Sequence, residues 1–389
     1  MRSLLHATRI ITPDEEYSPG WVLVRDGVIE GVGAGLPPDA TVPALDLGEH
    51  TLVPGFVDIH VHGGGGFSLM TADVEEVRSH ARWVVSHGVT SLVATIVGAD
   101  TSQGLEFVGV AASATGAVEG GATVLGVYLE GPFVSERYRG ALPKTWLKSV
   151  EPDLVDVFAD TAVGHLRLMT LAPELDNDKL IRRAVARGVR VAVGHSGADS
   201  DTTTLAFNAG ASHVTHLFNA MRPFHHRDPG ILGAAFDNPE VTVEIIADNV
   251  HLDPTTVDMA IRLFGPGRIA LVSDASLPAG VGQGVFKLGD DEAHLVGDRM
   301  VLADGTIAGG IETMDRLVRN VVQWKCATLP EAVRMASAVP ASVAGASHKG
   351  RIAPGYDADL VALTPELAVA ATWVRGVSVH SSIGSDPAH

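Results

Sequence analysis

Short apolar runs recur along the middle of the chain, separated by helix-length amphipathic stretches. The runs are Val53–His62, Val89–Val97, Thr123–Glu130, Leu166–Ala172, Val189–His195, His213–His216, Val241–Asp248 and Ile269–Asp274. Each is almost continuously apolar, as strands covered on both faces of a parallel sheet are. Between them, Val74–His87, Lys179–Arg187 and Thr255–Leu263 carry apolar residues at helical spacing. Asp73 followed by Glu76 predicts a capping box ahead of the first of these. Eight β-like runs, each followed by a helix or loop, predict an α/β fold, a (β/α)8 TIM barrel. Two later helices, about Thr313–Lys325 and Pro330–Ala344, lead out of it.

The two ends read differently. Trp21–Ile29 is a pair of apolar stretches around Asp26-Gly27, a strong hairpin signal. Arg351–Leu363 reads as a turn and then a strand, and Thr372–Gly376 as another strand edge. Chain ends often lie close together in a fold. A small β-sandwich domain is therefore expected from residues 1–52 with 349–389, around a barrel of residues 53–348. From about His380 the polar tail is expected to fray.

Composition narrows the function. The 389 residues are 46% hydrophobic and 19% charged, which excludes intrinsic disorder. A net charge of -18 repels phosphate backbones, and 5% aromatic content offers little stacking surface, so nucleic acid is excluded as a partner. The same field requires local cations for any small anionic ligand. Cys326 is the single cysteine and cannot form an internal disulfide, which fits a reducing, cytoplasmic compartment. The N-terminus has no sustained apolar stretch, so no signal peptide is expected. No uncharged apolar run reaches the roughly 18 residues a membrane span needs.

The chemically capable residues stand at the ends of the apolar runs: His60 and His62, Glu130, His195, His216, Asp248 and Asp274. In a barrel those ends converge on one mouth, which carries the active site. His60 and His62 share one side of a strand, so both imidazoles can meet one cation. Two ordinary polar residues at a strand end would read the same way. The Gly63–Gly66 run that follows permits a tight turn or close approach to a ligand. Glu130 closes an apolar strand, where a buried carboxylate needs a partner or a cation; a surface carboxylate at a loop start is the alternative. His195 or His216 alone is an ordinary structural histidine. With Glu130 they make a triad suited to a catalytic divalent ion. Asp274 can act as general base and then acid, or simply cap a helix. Arg222, His225, His226 and Arg227 form a basic island, either an anion anchor or a solvated loop, with His251 a second anchor candidate. Glu174, His165 and Met221 read as filler.

These segments together resemble the amidohydrolase superfamily, and within it the N-acetylglucosamine-6-phosphate deacetylases. The resemblance rests on PGFVDIHVHGGGG, YLEGPF, VGHS, THLFNAM, RDPG, IIADNVHLD, LVSDAS and KGRIAPGYDADLVAL, which span nearly the whole chain in the family's order. It implies hydrolysis of N-acetylglucosamine 6-phosphate to glucosamine 6-phosphate and acetate, in amino-sugar catabolism and recycling. It implies a principal divalent metal on Glu130, His195 and His216, and a second on His60 and His62 with Glu130 bridging. One or two ions per subunit are compatible with it, and zinc, iron, cobalt and manganese all suit such donors. Asp274 becomes general base, then acid. Ala141, Leu142, Asn219, Ala220, Arg227, His251, Ile307, Ala308 and Gly309 become substrate contacts. Arg227 is implied to reach the neighbouring subunit's site, hence a homodimer. One departure stands out: where the family loop reads K-G-A-H, this chain has Arg139-Gly140-Ala141-Leu142. Leucine cannot donate a hydrogen bond to the reacting acetamide. A cyclic-amide hydrolase, a deaminase and a lapsed phosphosugar-binding protein are the competing readings.

Overall fold

The structure, a computed structural model, describes residues 2–37, 41–99, 101–175, 178–282, 285–288 and 291–383. Eight parallel strands form one sheet in chain order: β1 (Phe56–Val61), β2 (Val89–Val97), β3 (Thr123–Glu130), β4 (Leu166–Leu171), β5 (Arg190–Val193), β6 (His213–Val214), β7 (Thr242–Ile245) and β8 (Ile269–Leu271). Past β8 the chain returns to β1. Asp274 N donates to His60 O at 2.9 Å, and His62 N to Ala275 O at 2.8 Å. The sheet is a TIM barrel, as the apolar runs predict.

The later strands stop short of those runs. His195, His216 and Asp274 lie beyond the last ladder residues, with φ of 47°, 23° and 45°. Left-handed backbone at non-glycine residues is uncommon and collects at functional sites. Here it ends the ladder and turns each side chain into the mouth.

Local signals differ from expectation in three places. Asp73 caps the helix Val74–Trp83, accepting from Glu75 N at 2.9 Å, but Glu76 accepts from Ser68 N at 2.8 Å instead of completing a box. The box forms instead at Thr328 and Glu331, where Thr328 N donates to Glu331 Oε2 at 2.8 Å. The single helix expected over 330–344 is two, Leu329–Ala336 and Ala338–Val343. Pro340 explains the break: in a continuous helix its ring would meet the Ala336 carbonyl. The glycine run makes the expected tight turn at Gly65 and Gly66 (φ 65° and 86°), and its close approach is to a side chain rather than a ligand, because a Cβ on Gly64 or Gly65 would come within 2.5 Å of the Trp83 ring.

Both chain ends are β-structure. A six-stranded sheet takes Arg9–Ile11, Glu16–Tyr17 and Thr51–Pro54 from one end and Leu360–Leu363, Val369–Val374 and Val377–Ser381 from the other. A four-stranded sheet holds Arg2–Ala7, Gly20–Arg25, Val28–Ala34 and Ala44–Asp46. Its hairpin turns at Asp26 (φ 51°) and Gly27 (φ 83°), the paired left-handed residues that Asp-Gly supplies. Ile10, Val22, Leu52, Ala362 and Trp373 join the two sheets in one buried core. His380 and Ser381 are paired in a strand rather than frayed; the remainder of the expected tail, residues 384–389, lies outside the described residues.

One element was not predicted. Val285–Leu288, Asp291–Val296 and Arg299–Val301 form an antiparallel sheet after β8. In its second and third strands only Ala293 and Met300 are buried, so the apolar pattern is too sparse to announce it. These two pack with Val97, Leu142, Leu302 and Ala308 beside the barrel mouth.

Candidate active site

Glu130 is the hub of the mouth. Tyr128 and Glu130 share one side of β3, two residues apart. Tyr128 is fully buried, its hydroxyl hydrogen-bonded to Thr170 Oγ1 at 2.7 Å and Thr215 Oγ1 at 2.9 Å. Glu130 meets four imidazoles: Oε1 lies 3.0 Å from His195 Nε2, 3.2 Å from His216 Nε2 and 3.5 Å from His60 Nε2, and Oε2 lies 3.4 Å from His62 Nε2. Burial disfavours its charge, yet the hydrogen bonds with His195 and His216 and the nearby imidazoles of His60 and His62 hold the carboxyl well below its usual range.

Asp274 stands opposite, its Oδ1 at 3.3 Å from His62 Nε2 and 3.6 Å from His60 Nε2. Burial works against its ionisation as well, but the charge of His60 and the contact with His62 lower its pKa. The same two carboxylates push the His62 imidazole up to about 9 against the opposing effect of its burial. Asp58, below His60, accepts from Ser273 Oγ at 2.5 Å and so ties the chain beyond β8 to β1. Burial pushes its carboxyl up to about 6.

Two donor groups result, His60/His62/Asp274 and Glu130/His195/His216, each with ligand atoms within 4.8 Å of one another. Buried carboxylates this close need positive charge, from protons on the imidazoles or from a cation that displaces them. His60 Nε2 is the clearest fit. It is buried, has no hydrogen-bond partner among the described residues, and faces Glu130 and Asp274.

A cavity of about 360 Å³ opens above these groups. His62, Glu130, His195, His216 and Asp274 form its floor, and Ala141, Leu142, Asn219, Ala220, His251, Ile307, Ala308 and Gly309 line it. His251 donates through Nδ1 to Asp248 Oδ2 at 2.7 Å and holds Nε2 3.8 Å from Asp274 Oδ2. His60 is wholly buried behind the floor. Arg227 is exposed, against His226 at 2.6 Å, and does not line the cavity. The rest of the basic island is engaged locally: Arg222 pairs with Asp228 and donates to Gly197 O at 3.2 Å.

Several residues that hold the site were not singled out from the sequence. Glu174, read as filler, accepts from Ser196 Oγ at 2.6 Å and Gly197 N at 2.5 Å, fixing the turn after His195. Glu244 and His213 form a buried pair beneath His60. A lone glutamate between Val243 and Ile245 was the available signal.

An eight-stranded barrel with histidines and carboxylates gathered at its C-terminal mouth defines the class of metal-dependent hydrolases. Residues 51–379 match the amidohydrolase family. The chain is 33% identical over 379 residues to N-acetylglucosamine-6-phosphate deacetylase of Bacillus subtilis (strain 168), covering 96% of each. It is 39% identical over 344 residues to the Homo sapiens enzyme of that name, covering 85% of this chain and 84% of the other. The crystal structure of N-acetyl-D-glucosamine-6-phosphate deacetylase from Mycobacterium smegmatis superposes with a TM-score of 0.91 at 36% identity, over 97% of this chain and 100% of that one. The chain belongs to the amidohydrolase family, among the N-acetylglucosamine-6-phosphate deacetylases. Among the described residues, no helix is long and apolar enough to cross a membrane.

Proposed function

We propose that this protein hydrolyses the acetamide of N-acetylglucosamine 6-phosphate, yielding glucosamine 6-phosphate and acetate in amino-sugar breakdown and recycling. The observation that carries this reading is the Glu130 carboxylate, met by four imidazoles on the cavity floor with Asp274 opposite. Glu130, His195 and His216 would hold a principal divalent cation, and His60 and His62, sharing Glu130, a second. Zinc, iron, cobalt and manganese all suit these donors. A cation held there polarises the substrate carbonyl and eases the deprotonation of water.

The chain's own residues supply the rest. Asp274, held ionised by its neighbours, accepts a proton from the attacking water. As the carbon–nitrogen bond breaks, Asp274 returns that proton to the leaving nitrogen, giving the amine and acetate. His251, oriented by Asp248, lies beside Asp274 and contacts the sugar phosphate. Asn219, the Ala220 backbone and the Ile307–Gly309 loop hold the sugar, and Ala141 and Leu142 close the acetamide end. Remote binding of this kind becomes orientation at the reacting carbon.

Among the described residues, no lysine or arginine lines the cavity. Arg227, exposed and outside it, is suited to reach the site of a second copy in a homodimer, which would supply the missing phosphate anchor. Residues 53–348 would form the catalytic unit, and residues 1–52 with 349–389 a small separate domain. The single cysteine suits work in the cytoplasm. Acetate release from phosphorylated and unphosphorylated N-acetylglucosamine, with metal measured on the same sample, tests the reading. Metal-dependent release with a strong preference for the phosphate is expected. Equal efficiency on both sugars, or release from metal-free protein, would refute it.

A further inference from the structure

We propose that Glu244 is the positioning residue that makes His60 a cation ligand and ties the His60/His62 donors to the Glu130/His195/His216 donors. The inference rests on the metal-dependent reading above. Glu244 lies in the middle of β7 and is wholly buried. Its Oε2 accepts from His60 Nδ1 at 2.8 Å and from the His216 backbone N–H at 2.9 Å, and its Oε1 accepts from His213 Nε2 at 3.1 Å. Two donors therefore converge on one carboxylate oxygen, and a third meets the other. An oxygen that already takes the His216 backbone N–H acts as an acceptor toward His60 Nδ1 as well. His60 must therefore carry an N–H on Nδ1, which leaves Nε2, facing Glu130 and Asp274, as the nitrogen that can exchange a proton for a cation. A hydrogen-bonded carboxylate behind a histidine ligand fixes the tautomer and raises the basicity of the ring. One oxygen of Glu244 thus orients a ligand side chain in one donor group and the backbone of a ligand in the other.

The bland alternative is that Glu244 serves only His213 and the packing of the barrel interior. Zinc titration separates the two. Wild type, Glu244→Gln and Glu244→Ala are stripped with a chelator and titrated with zinc alone by calorimetry, with bound zinc counted per folded chain. The Glu244→Gln variant keeps the fold. Its amide oxygen can still accept from His60 and His216, while His213 switches tautomer and donates through Nδ1 to Thr242 Oγ1, 2.6 Å away. Only the charge is lost.

Wild type is expected to bind two zinc ions. In Glu244→Gln the weaker ion should lose about 10–100-fold in affinity, the usual cost of removing such a partner, while the tighter one changes little. Glu244→Ala should bind one ion; if it does not fold, the glutamine variant decides. Adding His60→Asn to Glu244→Gln should cost less than the two single changes together. Two ions bound with wild-type affinity in Glu244→Gln, equal weakening of both, or a single ion in wild type would overturn the proposal. Failure of wild type to bind zinc at all would instead refute the metal-dependent reading beneath it.

Discussion

Two buried charged clusters sit at different places in this fold, and only one is self-sufficient. At the junction of the barrel and the terminal sheets, Lys349 Nζ lies 2.7 Å from Asp359 and 3.0 Å from Asp357. It also donates to Thr123 Oγ1 at 3.4 Å, and Asp359 accepts from Arg375 N at 2.8 Å. Every charge there has a protein partner. At the mouth, Glu130 and Asp274 face imidazoles, and the buried nitrogens His60 Nε2, His62 Nδ1 and His216 Nδ1 lack hydrogen-bond partners among the described residues. Burying charge without full pairing is costly. The junction therefore reads as structure, and the mouth as a place held ready for a cation from outside.

The sharpest way to break this contrast is at the mouth. Asp274→Asn keeps the shape and removes the proton acceptor. Turnover should fall by roughly 10²–10⁴-fold, the range of general acid–base contributions, while bound metal, counted by elemental analysis, persists. Turnover at the wild-type rate would remove Asp274 from the chemistry.

At the junction the effect should appear in stability alone. Lys349→Met leaves Asp359 buried without its cation. Breaking one side of a buried pair costs about 3–5 kcal/mol. Chemical denaturation should show that loss, with turnover per folded molecule and metal content unchanged. Lost metal in this variant would mean that the two clusters are coupled.

Metal removal should produce the converse. Chelation should abolish turnover and lower the melting temperature, and zinc should restore both. A ligand at a hundredfold its dissociation constant stabilises by about 2.7 kcal/mol. The same increment should appear in Lys349→Met, since the junction requires no cation. If chelation left the melting temperature unchanged, the mouth would not be a cation site.

The mouth was more legible in the sequence than the junction. Apolar runs ending in His62, Glu130, His195, His216 and Asp274 announce strands with chemistry at one end, because barrel closure gathers those ends whatever their spacing along the chain. What supports them was not legible. Glu244 meets His60 across 184 residues and His213 across 31, through pairings no local pattern encodes. Glu174 read as filler because its partners, Ser196 and Gly197, belong to another loop. The glycine run, read as a tight turn or an approach to a ligand, makes the turn, but that its close approach is to Trp83 of the next helix was not legible. The Lys349 cluster lay in a segment that reads only as a turn and a strand; Asp357 and Asp359 are close along the chain, but nothing in that pattern turns Lys349 inward to meet them and Thr123.

A third buried ionisable group sharpens the comparison, because it solves the problem by staying neutral. His80 is wholly buried, with Nδ1 3.3 Å from Gly64 O, and burial pushes its pKa down to about 4. In the unfolded chain the value returns to about 6.5. Between these values the unfolded state binds more protons, so stability rises with pH across the window. The contribution is complete above about pH 6.5 and is lost progressively as the pH falls toward 4. At pH 5.5, one unit below the unfolded value, the loss is about 1.4 kcal/mol. His80→Gln keeps a donor toward Gly64 and cannot titrate. Denaturation of chelated wild type and His80→Gln from pH 7 to 4.5 isolates this group, since every other titration is common to both. Wild type should lose stability more steeply on acidification; parallel curves would show that His80 is not the neutral buried group inferred from its surroundings.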